Sequence, residues 1–488
     1  MRDMLPEIVG WLRRQAGVEY AEARWVADRS QRIRVRDGEL EQASHGMSAG
    51  LGVRVLYRGA WGFAATPETE ESEEPAAAAC ARSALEAARA AAAVTPDRVR
   101  LCEDEPQRGR YGTPIEEDPF AVPLERKLAD LCGPIETLRR DPHNRIRSAS
   151  GFVLFRQVDK HLLTSDGTDI AQTLVHGASG MRAIATWKDD VQQRSHPMDH
   201  DGGCAARGYE LVRALDLAGH AERVREEAIA LCAAPVLPAG RTNVVLSTEQ
   251  LALQIHESCG HPTESDRALG EEVSLAGRSF LTPDRLGRFR YGSALVNLTA
   301  DARTPGGLGT QGWDDEGVPA RRTPLVARGQ FVGYLSSRET AARLGLGRSA
   351  GCMRAESWNR PPIIRMINVS LEPPPAGPTL ADLIADTRAG VLFGCNKSWS
   401  IDDLRLNFQF GCEAAWAIEN GRPGRMYKNP IYTSSTPAFW GGCDAICGPS
   451  EFRMWGFLNC GKGDPMQTMW VGHGCAPARF RNVEVRGG

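Results

Sequence analysis

The chain has 488 residues, 42% of them hydrophobic and 24% charged, which is too long for one ordinary core and rich enough in apolar residues to bury two or three. Its 58 basic and 61 acidic residues leave a net charge of only -3, so no long-range field draws it to nucleic acid or to an anionic membrane. No apolar run approaches the roughly 20 residues that cross a bilayer, and Met1 to Arg14 lacks the uninterrupted apolar stretch of a signal peptide.

The first hundred residues predict a small α+β unit. A helix near Pro6–Gln15 precedes alternating segments at Ala23–Val26, Arg32–Val35 and Glu39–Ser44, with Asp37-Gly38 as a hairpin turn. Gly52–Tyr57 and Ala60–Ala65 follow, joined at Arg58-Gly59. The acidic run Pro67–Glu74 opens an alanine-rich helix reaching Ala93, with carboxylates where the helix dipole favours them. Thr95 to Pro119 reads as a linker.

A second α+β unit is expected over residues 120–232. It holds a helix at Leu124–Leu138, strands at Arg145–Arg156, Lys160–Thr164, Ile170–Val175 and Gly180–Lys188, and a helical stretch from Tyr209 to Cys232. From residue 238 to 488 the chain is rich in glycine, proline and short strand-like runs, which predicts one large β-rich domain. There Val244–Leu246 reads as a buried strand, and Ser247-Thr-Glu-Gln250 as a capping box opening a helix. The expected class is therefore α+β: two small N-terminal units (the first over 1–100) and a β-rich C-terminal domain. Thirteen cysteines, odd in number and scattered from Cys80 to Cys475, fit reduced thiols and a cytoplasmic protein.

The new helix carries His256-Glu257-Ser258-Cys259-Gly260-His261. Two imidazoles with an intervening carboxylate supply two metal ligands and a base able to take a proton from a metal-activated water. The spacing is one residue longer than in the common zinc-peptidase helix. On a regular α-helix, residues five apart sit roughly 140° apart around the axis, so the two rings diverge. The pattern works only if the helix carries an extra residue as a bulge or breaks before His261, which Gly260 and Pro262 permit. A third ligand must come from elsewhere: Cys259 points off the motif, and Cys460, His473 and Cys475 are the distant candidates.

Further segments stand in order around the motif: Gly50-Leu-Gly-Val-Arg-Val with Gly62-Phe-Ala, the His256–His261 motif followed by Asp266, Trp313-Asp-Asp-Glu-Gly317, Gly333-Tyr-Leu335, Arg354-Ala-Glu-Ser-Trp358 with the following segment to Asn368, Glu413 to Gly421, and Asn459-Cys-Gly-Lys-Gly463. Together they resemble the TldD/PmbA metallopeptidases, the "modulator of DNA gyrase" family, and its TldD branch in particular. The resemblance implies zinc held by His256, His261 and Cys460, with Glu257 as catalytic base. It implies peptides cleaved as extended strands in a closed cavity, and a homodimer or a heterodimer with a related metal-free paralogue. Asp266 is expected either to orient an imidazole or to cap the helix end.

This chain departs from the family at Gly390 to Ser400, where bulky Lys397 and Trp399 are expected to narrow or recharge the substrate cavity. Arg354 and Glu356 are further substrate-binding candidates, with structural salt bridging as the alternative. His473 and Cys475 stand open as ligand, oxyanion donor or turn residue.

Weaker features read as structure. Gly307-Leu-Gly-Thr-Gln-Gly312 spells a dinucleotide fingerprint, but no helical pattern follows it, so a loop is expected. Cys443 and Cys447 lack a second pair, and His196 with His200 reads as a surface loop pair. The function expected is a zinc-dependent peptidase acting on small or unfolded peptides. The alternatives are a metal-dependent amide hydrolase acting on a peptide-derived metabolite, or a non-catalytic partner subunit.

Overall fold

The computed structural model describes residues 1–69, 73–199, 201–273 and 277–488. The acidic residues Glu70 and Glu71 and the imidazole of His200 lie outside them.

After α1 (Leu5–Arg13) come three antiparallel strands, β1 (Val18–Arg36), β2 (Glu39–Tyr57) and β3 (Ala60–Pro67), then α2 (Glu73–Ala92). Beyond β4 (Arg108–Gly112) and α3 (Leu124–Arg139) run β5 (Ile146–Thr164), β6 (Asp169–Trp187), β7 (Asp190–His196) and β8 (Gly203–Ala205). All eight strands form one sheet, in which β1 pairs with β5 from Glu22↔Thr164 to Arg36↔Ser150. The two N-terminal units are thus continuous through a shared sheet.

Segments that read as separate short strands are halves of long ones. Arg145–Arg156, but for its first residue, and Lys160–Thr164 fall in β5, and Glu39–Ser44 and Gly52–Tyr57 fall in β2. The polar and glycine residues between them resemble strand breaks because they serve a second packed face. A Cβ at Gly50 would lie 2.4 Å from the Trp358 ring, so only glycine admits this loop of the C-terminal domain. Polar residues on that face are buried or half-buried and paired across the contact. Arg24 donates to the Arg360 carbonyl at 2.7 Å, Lys160 meets Asp315 at 3.0 Å and Arg54 meets Glu316 at 3.2 Å. Arg194 likewise reaches the buried Glu413 at 2.8 Å.

The opposite face packs its apolar residues (Ile33, Val35, Val153, Ala183) against α3 and the helices α4 (Glu210–Leu215) and α5 (Leu217–Ala233). The expected single helix over Tyr209–Cys232 is broken at Asp216. That residue takes a left-handed conformation (φ 43°) and accepts from the Gly219 N–H at 3.1 Å.

The C-terminal domain is built on a seven-stranded sheet. In it β9 (Gly240–Leu246) lies between Ala389–Ile401, to which it is parallel, and antiparallel Ala478–Gly487. β9 hands directly to α6 (Thr248–Ile255). Ser247 takes the N-cap position, but its side chain makes no capping bond, so the predicted capping box is not formed. A separate hairpin, Arg453–Lys462 with Gln467–Cys475, lies across the helix. The main apolar cluster of the domain includes Leu251, Ile255, Met366, Phe457 and Val471. Strands outnumber helices throughout, in an α+β fold.

Candidate metal centre

The helix distortion demanded by the spacing is present. Regular α-helix ends at Ile255, His256–Gly260 form one π-helical turn, and the His261 N–H donates to the His256 carbonyl, five residues back. A short 3-10 turn, His261–Thr263, follows. The wider turn brings the fifth residue round over the first, and the two imidazoles meet with ring centroids 4.8 Å apart, nearly perpendicular. Gly260 is required sterically: a Cβ there would lie 2.0 Å from the sulfur of buried Met366.

The hairpin delivers the third group. Its register slips between Phe457 and Cys460, and this bulge sets the Cys460 Sγ 3.7 Å from Nε2 of His261. One ligand atom from each of His256, His261 and Cys460 falls within 4.8 Å of the others, and all three residues are buried. This is a set that could hold a metal ion.

Hydrogen bonds fix which nitrogen of each ring is free. The Val369 carbonyl can only accept, so His473 Nδ1 donates to it at 3.0 Å, leaving His473 Nε2 an acceptor. His256 Nδ1, 2.8 Å from that Nε2, must therefore carry its proton, and the His256 Nε2 lone pair is left over. His261 Nδ1 donates to Glu264 at 2.9 Å, which leaves its Nε2 likewise. Burial lowers both imidazoles to a pKa of about 4, so the rings are neutral at pH 7. Burial pushes the Cys460 thiol up, but the Arg365 guanidinium beside it holds it below its ordinary value.

Glu264 is fully buried and charged. Burial raises its pKa, and Lys462 at 3.4 Å with Arg267 at 2.8 Å pulls it well below the usual range. Asp266 does not reach an imidazole: it pairs with Lys462 at 2.8 Å, and the carboxylate at the ring is Glu264. Neither Glu264 nor the role of His473 was singled out from sequence. Glu264 carried a local signal, lying three residues after His261.

A cavity of about 390 Å³ opens on the three ligands, and Glu257, Trp399, Arg405, Phe457 and Asn459 also line it. The other residues proposed for substrate contact stand elsewhere. Arg354 is buried and donates to the carbonyls of Met366 and Trp470 at 2.9 and 2.8 Å, tying two segments together. Lys397 turns away to Asn429 at 2.8 Å, and the Glu356 backbone N–H bonds Gln467 at 3.1 Å. Cys475 is buried, with its thiol on the Thr248 carbonyl at 3.2 Å. Arg405, which ion-pairs with Glu257 at 2.6 Å, went unnoticed in the sequence because nothing local marks an arginine 148 residues away as its partner.

Gly307–Gly312 is a loop, as expected. Cys443 and Cys447 are buried, and like the other eleven cysteines they are free thiols. His196 ends β7 rather than sitting in a loop, and its ring lies tilted against that of His220. Among the described residues no helix is long and apolar enough to cross a membrane.

Comparison with known proteins agrees with this layout. The profile of the PmbA/TldA metallopeptidase C-terminal domain matches residues 239–487, and that of PmbA/TldA metallopeptidase domain 1 matches residues 21–92. A metalloprotease of Methanothermobacter thermautotrophicus is 29% identical over 96% of both chains. Metalloprotease slr0863 of Synechocystis is 30% identical over 75% of this chain and 73% of its own. The fold matches that of TldE from Thermococcus kodakarensis with a TM-score of 0.72, at 17% identity and covering 99% of each chain.

Proposed function

Because this chain belongs to the PmbA/TldD metallopeptidase family, we propose that it is a zinc-dependent peptidase hydrolysing small or unfolded peptides in the cavity beside His256. The observation that carries the reading is the convergence of two neutral imidazoles and a thiol held below its ordinary pKa, all within 4.8 Å, on a cavity wall that also bears a carboxylate. The donor set fits zinc: borderline-soft, tetrahedral, satisfied by nitrogen and thiolate, and left with one position for water or substrate. When bound, zinc supplies Lewis acidity that makes a water nucleophilic near neutral pH and polarises the scissile carbonyl.

The chain's own residues do the rest. His256, His261 and Cys460 would hold the ion, with His473 and Glu264 fixing the two rings in the tautomers that present Nε2. A single thiolate among these ligands would leave a bound zinc one net positive charge. Glu257 takes the proton of the attacking water on its carboxylate and delivers it to the departing amine. Trp399 and Phe457 wall the cavity, and a stretch of peptide or a small amide fits its volume of about 390 Å³. A non-catalytic partner role is disfavoured, since such a subunit needs neither the π-turn nor the thiol. We further propose a cytoplasmic protein acting as a homodimer or with a related metal-free paralogue.

The test is Glu257→Gln. Zinc content measured by mass spectrometry should stay near one per chain while cleavage of a peptide library falls to background. Undiminished cleavage removes the base assignment. Running small amides beside the peptides separates the two substrate classes.

A further inference from the structure

The mechanism above leaves one buried charged group at the metal cavity unused. Arg405 sits in the turn Asp402–Leu406 between strands Ala389–Ile401 and Asn407–Glu419. Its guanidinium lines the cavity and donates to Glu257 Oε2 at 2.6 Å. Both side chains are more than nine-tenths buried. Among the described residues, Oε1 of Glu257 accepts no hydrogen bond.

The turn is built to hold this arginine. Its backbone lies in the left-handed region (φ 62°), where a long side chain is disfavoured and which persists only when the surroundings over-determine it. They do. The Arg405 N–H donates to the Asp402 carbonyl at 2.9 Å, and the Arg405 carbonyl accepts from Thr436 Oγ1 at 2.9 Å. The Asp402 carboxylate accepts from the Leu406 and Asn407 N–H groups at 2.7 and 3.0 Å. The neighbouring Leu404 carbonyl accepts from the Phe280 N–H at 2.9 Å. A surface turn under no demand would place glycine or asparagine at such a position.

We propose that Arg405 is a positioning residue for hydrolysis: by pinning Oε2 it fixes the Glu257 carboxylate so that Oε1 is the oxygen that meets the attacking water. This rests on the peptidase reading for the reaction itself. In that reaction water gives a proton to Oε1 as its oxygen bonds the carbonyl carbon. The carbon–nitrogen bond then breaks, and the same proton leaves on the amine. Arg405 stays protonated throughout and exchanges nothing. A freely rotating carboxylate would spend most of its time in unproductive orientations, which costs turnover rather than substrate affinity.

The experiment compares Arg405→Lys and Arg405→Met in zinc-loaded full-length protein. The lysine keeps a cation beside buried Glu257 and so guards against simple misfolding, but lacks the planar fork that fixes a carboxylate. Expected are a kcat lower by about 10-fold for lysine and about 10²-fold for methionine, within the span that general-base catalysis covers, with KM and zinc content unchanged. In a Glu257→Gln background, Arg405→Met should have no further effect on residual cleavage. A second readout needs no turnover: affinity for a peptide hydroxamate, whose proton passes to Glu257 on binding, should fall in both variants. Affinity for the corresponding carboxylate product should not. Wild-type protein that binds the hydroxamate but cleaves nothing would remove the peptidase reading and leave this inference to the binding data. Wild-type kcat and hydroxamate affinity in both variants would overturn it. So would loss of zinc or of folding in both, which would make Arg405 a structural residue only.

Discussion

Replacing His473 isolates the part of the centre that touches neither metal nor substrate. In His473→Phe the ring volume is kept beside Phe457 and His256, whose centroids lie 5.6 and 4.9 Å from that of His473, while both nitrogens vanish. His256 Nδ1–H loses its only acceptor among the described residues at a buried site, and a buried donor left unsatisfied costs about 1–3 kcal/mol. Holding the wrong tautomer would relieve that cost only by protonating the Nε2 meant for the ion, so the penalty falls on metal binding. Removing the partner of a ligating histidine typically costs about 10–100-fold in affinity, or about 1.4–2.7 kcal/mol, and the two estimates agree. The assay is competition for zinc against a chromogenic chelator, with thermal melting of the metal-free proteins as control. His473→Gln, which offers an oxygen where Nε2 was, should recover most of the loss. Phenylalanine binding zinc within two-fold of wild type would refute the tautomer argument.

Other substitutions test the fold around the centre. Gly260→Ala forces a methyl onto Met366 inside the packed core, so the melting temperature should fall by the equivalent of about 1–3 kcal/mol, and Gly260→Ala with Met366→Ala should recover part of it. Arg354→Met should destabilise the protein, because two buried carbonyls lose a charged donor, yet leave KM of the folded fraction unchanged; a raised KM with normal melting would return Arg354 to the substrate site. Lys397→Ala should leave cleavage unaltered, since that side chain points to Asn429. Burial, then the charges of Arg354, Arg156 and Lys160, lowers His176 to a pKa of about 3. Its unfolded form binds a proton near pH 6.5 and its folded form does not. Stability is therefore full above pH 6.5 and is lost as the pH falls toward 3, by up to ~5 kcal/mol from this one group. His176→Leu should flatten the dependence of denaturant midpoint on pH in that window, and an unchanged slope would exclude His176 as its source.

What the sequence disclosed depended on how local the signal was. The hairpin turns, the alanine-rich helix and the need for a distorted helix at His256 follow from adjacent residues, and all are present. The extra residue between the histidines stated the geometric problem, and the π-turn is its solution. The long strands look like shorter ones in the sequence because their polar and glycine positions resemble breaks. Arg24, Lys160 and Gly50 are spent on a second domain that no local window contains. The supporting groups of the centre were hidden for the same reason. Lys462 and Arg405 meet the motif helix only after more than a hundred intervening residues fold back, and no local pattern shows that Glu264 rather than Asp266, two positions later, faces the imidazole.

X-ray absorption at the zinc edge, on protein loaded with one equivalent, reads the ligand set itself. Two histidine nitrogens and a water oxygen should scatter at about 2.0–2.1 Å and one sulfur at about 2.3 Å, with the sulfur disappearing in Cys460→Ser. A shell of nitrogen and oxygen alone, or a sulfur that survives that substitution, would mean that Cys460 does not complete the centre.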